Sequence, residues 1–161
     1  MLCVIGCGNS NRSDDGAGVY VAQALQAHLR QHPQTGVRVF DAGTGGMDVM
    51  FQARGTKRLL LIDAVRSGSE PGAIFRVPGA ELEHEPGQNF TLHDFRWQHA
   101  LAAGRLLFGA DFPSDTTVYL IEASSVDFGL ELSAPVRAAA ETVAQEIRQL
   151  MDSHALPQAP T

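Results

Sequence analysis

The segment RLLLIDAV at 58–65 limits what this chain can become more than any other stretch. Leu59 to Ile62 offer no polar face, so a strand here needs apolar cover on both sides. Shorter apolar runs at 1–6, 37–41, 73–77 and 117–123 read as further strands. The stretches between them carry helical period. Val21, Leu25 and Leu29 recur at four-residue spacing within 16–31. Trp97, Leu101, Gly104 and Phe108 share a face within 94–108. Val136, Ala140, Val143, Ile147 and Leu150 form a stripe within 135–151, where Pro135 suits the first turn. A shorter helix is expected over 46–54.

The order β-α-β-α-β-β-α-β-α predicts a single three-layer α/β domain, a mostly parallel twisted sheet of about five strands with helices on both faces. The 161-residue chain is long enough to bury a real core. Residues 1–151 are expected to form the domain and 152–161, DSHALPQAPT, a flexible tail. If the first three strands lie in the order 2-1-3, a switch point falls between strands 1 and 3, and ligands bind outside the carboxyl ends of strands at such points. The loop GCGNSNRSDDGAG at 6–18 and Asp63 then meet in one crevice.

A net charge of −6 leaves no basic footprint for nucleic acid and no polybasic patch for anionic membranes. MLCVIGCG reaches glycine too early for a signal peptide, and no apolar run is long enough to span a bilayer. Cys3 and Cys7 are expected as small buried side chains in a reducing cytoplasm, too few for a Cys-rich zinc site or a disulfide framework. The expectation is a soluble, cytoplasmic protein. There is no P-loop, and the opening G-x-G-x-x-N lacks the third glycine of the dinucleotide fingerprint. HExxH and GxSxG are absent, and Ser124 and Ser125 read as a polar loop.

The chemistry therefore falls to acids and histidines. Asp14 and Asp15 open the first helix, where one carboxylate suffices as a cap or loop organiser. Asp14 is expected in that role, leaving Asp15 to face the crevice. Asp63 ends a run that is buried on both faces, and an unpaired carboxylate there is costly, so it needs a cation, a metal or several donors. Asp41, in VFDAGTGG, ends strand 2 and fits either a site carboxylate or an Asx turn. His93 begins a helical pattern from a loop and can reach across the crevice; His84 and His99 stay as rivals. Two carboxylates and one imidazole suit a divalent transition metal with coordination positions left open. Without sulfur, such a set suggests an ion shared with a partner or bound transiently.

These residues resemble the nickel–iron hydrogenase maturation endopeptidases. The resemblance rests on GCGNxxxxDDGAGV from Gly6 to Val19, DAGTGG from Asp41 to Gly46, LIDA from Leu61 to Ala64, the pair Pro71-Gly72, and His93. It implies a protease that removes a C-terminal extension from a hydrogenase large-subunit precursor once nickel is inserted. It further implies that Asp15, Asp63 and His93 bind the metal. The nickel would be supplied by the substrate, with no permanent cofactor. The first-loop carboxylate is often Glu in this family; the shorter Asp15 shifts the ion or admits a water. The ion then polarises the scissile carbonyl, activates a water, or only positions the bond while an aspartate, Asp41 among them, acts as general base. The simplest expected form is a monomer. Two other readings stand beside this one: a nickel-sensing chaperone that cuts nothing, and a phosphate- or nucleotide-binding module, which Asp14 and Asp15 argue against.

Overall fold

The computed structural model describes residues 1–84 and 96–155. Five strands form one sheet: β1 (Leu2–Cys7), β2 (Val37–Gly43), β3 (Arg58–Val65), β4 (Ile74–Pro78) and β5 (Asp115–Glu122). Four helices accompany them: α1 (Ala17–Gln31), α2 (Gly46–Ala53), α3 (Trp97–Phe108) and α4 (Ala134–Ala155). The strand order is β2-β1-β3-β5-β4, parallel except for β4, which runs antiparallel along β5. The chain crosses from β1 to β2 on one side and then to β3 on the other, so the switch point lies between β1 and β3.

Alternation along β3 divides its apolar run between two cores. Leu60 and Ile62 pack with α1 and α4, through Val21, Leu25, Val136 and Ile147. Leu59 and Leu61 pack with α2 and α3, through Val49, Met50, Trp97 and Leu101. All four β3 side chains are almost wholly buried, each contributing about 2 kcal/mol of hydrophobic free energy. The expected three-layer architecture is the one observed. The last helix differs from its expected end. α4 continues past position 151 into the segment expected as a tail, because Met151 is fully buried against the first core.

The glycines of the first loop have a packing role. A Cβ on Gly18 would lie 2.3 Å from both the Cys7 and the Ile62 carbonyl oxygens, and one on Gly6 would lie 2.1 Å from the Gly18 carbonyl oxygen. The start of α1 therefore rests directly on the backbone of β1 and β3. The close approach these glycines permit is between helix and sheet. Gly18→Ala should cost about 3 kcal/mol or more through overpacking, lowering Tm by roughly 6–12 °C in a chain of this size. Thermal denaturation followed by circular dichroism measures it; an unchanged Tm would mean that the helix can lift off the sheet freely.

Candidate active site

The carboxyl ends of β1 and β3 open into a cleft of about 820 Å³ at the switch point. Asp15 and Asp63 both line it, with Trp97 at the base of α3 and the guanidinium groups of Arg12, Arg66 and Arg96 around it. The 43–47 turn, entering α2, forms another wall.

Asp15 belongs to a 3-10 turn, Ser13–Gly16, that precedes α1. Its Oδ2 accepts the Asn9 N–H at 2.9 Å, which folds the 9–15 loop around the carboxylate. Gly8 makes this possible. Its φ is +130°, and a Cβ there would sit 2.0 Å from the Asp15 carbonyl oxygen and 3.4 Å from Asp63 Oδ1. The backbone of one site residue and the carboxylate of the other thus meet over a position only glycine can fill.

Asp63 is half-buried in the cleft. Its Oδ2 accepts the Trp97 indole N–H at 2.8 Å, and its Oδ1 accepts the Ala64 N–H at 2.8 Å. Burial pushes this carboxyl up to about 7, against the opposing pull of the Trp97 and Ala64 donors; Asp15 raises it further and Arg96 lowers it. A carboxyl poised near neutrality can hold or surrender a proton, and a cation in the cleft would fix it as the anion. Cys7 also lines the cleft. Its thiol is driven well above the ordinary range by burial, then by Asp63 and Asp41, so it makes a poor nucleophile.

Asp14 takes a different path from its neighbour. It is wholly buried and accepts the backbone N–H groups of Ser124, Ser125 and Ser133 at 2.8, 3.2 and 2.7 Å and the Ser133 hydroxyl at 2.9 Å. It organises loops as expected, but the loop is the one between β5 and α4. Asp41 is exposed; its Oδ1 accepts the Gly43 N–H at 3.0 Å in an Asx turn, and it is not among the cleft-lining residues. His93 lies outside the described residues. His84 and His99 stack edge to face, 5.3 Å between centroids, in a hollow beside the cleft, and His99 Nδ1 accepts the Arg96 N–H. Among the described residues, no three His, Cys, Asp or Glu side chains group as a metal cage.

Two further positions, one that holds Asp63 and one that braces the turn after β3, were not singled out from the sequence. Trp97 was legible as a core residue, but nothing in its helical spacing signalled an indole N–H aimed at Asp63. Glu122 could have been found. It follows an apolar run as Asp63 does, is 2% exposed, and accepts from the turn that follows β3, through the Ser67 and Ser69 N–H groups and the Ser67 hydroxyl.

Fold and site together define a doubly wound α/β protein with an acidic cleft at its topological switch point. Residues 19–150 match the HycI family, hydrogenase maturation protease, a stretch that includes Asp41, Asp63 and His93. The chain belongs to that family. It is 30% identical over 153 residues to the hydrogenase expression/formation protein HupD of Rhizobium leguminosarum bv. viciae, covering 91% of this chain and 74% of that protein. HupD of Thiocapsa roseopersicina is also 30% identical, over 138 residues, and there the chain spans only 61% of the relative's length. The hydrogenase maturating endopeptidase HybD from E. coli shares the fold with a TM-score of 0.75 at 21% identity, over 96% of this chain and 93% of that one.

Asp14 gives a testable acid dependence. Burial works to raise its pKa, but the donors of Ser133, Ser124 and Ser125 outweigh it and hold the group below 3.8. A folded pKa below the unfolded one stabilises the protein fully above about pH 4, and that contribution is lost as pH falls through the folded value. Asp14→Ala should cost about 3 kcal/mol at pH 7 by orphaning buried donors. Asp14→Asn, which keeps one acceptor, should lose less and show a shallower decline in acid. Urea unfolding at a series of pH values checks both; an acid decline as steep in Asp14→Asn as in the wild type would assign it to other carboxylates.

Proposed function

We propose that this chain is the endopeptidase that removes a C-terminal extension from the large-subunit precursor of a nickel–iron hydrogenase, recognising nickel already held by the substrate. The observation that carries the reading is the pairing of Asp15 and Asp63 in an open cleft at the switch point of a hydrogenase maturation protease fold. Asp15, Asp63 and His93 would meet the substrate's ion. Three ligands without sulfur leave positions for groups that the precursor itself provides. The ion supplies a docking point and a Lewis acid.

The chain supplies orientation and proton handling. Hydrolysis adds water across the scissile amide: a proton leaves the water as its oxygen bonds to the carbonyl carbon, and a proton reaches the amine nitrogen as the C–N bond breaks. An aspartate of the cleft, ionised beside the ion, would take the proton-accepting role. The Trp97 and Ala64 donors hold the two Asp63 oxygens in place, so that carboxylate does not have to be ordered during the reaction. In this reading the protein acts as a monomer in the cytoplasm, and Asp41 serves as an auxiliary carboxylate at most.

Mass spectrometry of a nickel-loaded precursor incubated with the protein tests this. Wild type should release a C-terminal peptide only when nickel is present. Asp63→Asn, Asp15→Asn and His93→Ala should each lower kcat/KM by about 100-fold or more. An uncut precursor that still forms a nickel-dependent complex would replace the protease with a chaperone. Absence of both binding and cutting would overturn the reading.

A further inference from the structure

The loop that joins β5 to α4 shows an apolar face beside the cleft. Phe128 is 86% exposed and Leu130 is 81% exposed. This loop is fastened to the site loop. Arg12 and Gly129 form a parallel bridge. The Ser13 N–H donates to the Gly129 carbonyl at 2.8 Å, and the Gly129 N–H donates to the Asn11 carbonyl at 2.9 Å. The Ser13 hydroxyl donates to the Asp127 carbonyl at 2.8 Å, and Arg12 Nε donates to the Val126 carbonyl at 3.1 Å. Ser13 adopts φ +51° within this lattice of bonds, a conformation that side-chain-bearing residues take only when their surroundings compel it. Asp14 then anchors both ends of the loop, at Ser124–Ser125 and at Ser133.

The patch is continuous with the cleft. Arg12 and Val126 line the cleft, and the Arg12 guanidinium also lies over the Phe128 ring, 5.1 Å from its centroid. A rigid apolar display costs little entropy when a partner covers it, which is how binding hot spots work. We infer that Phe128 and Leu130 are specificity-determining residues that seat an apolar polypeptide segment of the hydrogenase precursor next to its scissile bond. The inference rests on the proposed function for the identity of the precursor. The 126–130 loop binds the chain while Asp15 and Asp63 act on it, so its contribution falls on KM and leaves kcat alone.

Two measurements test it. In steady-state cleavage, the double variant Phe128→Ser, Leu130→Ser should raise KM roughly ten-fold with kcat and Tm little changed. Leu106→Ser with Leu107→Ser is the control, because those α3 residues are 86% and 66% exposed but lie away from the cleft lining; its KM should equal that of the wild type. An unchanged KM in the loop variant, or an equal rise in the control, overturns the inference while leaving the protease reading intact. Independently of turnover, p-benzoylphenylalanine at position 128 should photo-crosslink to the precursor's C-terminal segment. If wild type fails to cut but that crosslink forms, the proposed activity falls and the docking surface stands. A crosslink to another region, or none, rejects the surface.

Discussion

The buried carboxylate of Asp14 is the interaction on which the cleft depends. An ionised group with no solvent access is tolerable only if its lone pairs are met, and here four donors from one distant loop meet them. The energetic need of that one group draws the β5–α4 connection against the turn before α1. Its neighbour Asp15 is then held at the cleft by backbone geometry and, among the described residues, by the Asn9 N–H. Two adjacent aspartates thus differ: Asp14 is saturated by the loop it organises, while Asp15 lines the cleft.

The same physics recurs at the strand ends. Asp63 follows the buried run of β3, two residues before the strand ends, and Glu122 closes β5; each needs donors because it adjoins a buried apolar run. Glu122 receives them from Ser67 and Ser69; burial works to raise its pKa, but these bonds, with the Gly68 N–H, prevail and hold it low. Among the described residues Asp63 receives two, and burial wins, so its pKa rises. The contrast separates a carboxylate that has been used up by the fold from one that retains capacity. Counting donors against lone pairs distinguishes the two where residue type and position do not.

The layered fold was legible because β3 is apolar on both faces and because the helical stripes have clean period. The order 2-1-3 of the first three strands entered only as a condition, and the places of β5 and the antiparallel β4 were not legible in the connections. Asp63 was legible for an energetic reason, being a carboxylate at the end of a buried run. Asp14's partners were not, since nothing local ties position 14 to Ser124 or Ser133; only the folded topology brings them together. Trp97 illustrates the general difficulty. Its apolar body follows helical spacing, while its polar N–H points according to how α3 sits on the sheet, and that is a tertiary quantity. The extension of α4 past its expected end has the same origin, since DSHA lacks period but Met151 just before it finds a place in the core.

These elements explain why rigidity is concentrated on one wall of the cleft. The start of α1 cannot shift, because Gly18 rests on the Cys7 and Ile62 carbonyls. The loop before it cannot shift, because Asp14 and the Arg12–Gly129 bridge bind it to the β5–α4 connection. A wall built this way holds Asp15 in register with Asp63 before any ligand arrives, and it carries Phe128 and Leu130 outward on the same frame. Under the proposed function, substrate positioning and ion contact would then be mechanically one unit. A change that loosens the 126–130 loop would be felt at Asp15, whereas removal of the Phe128 ring alone would alter only what the frame presents.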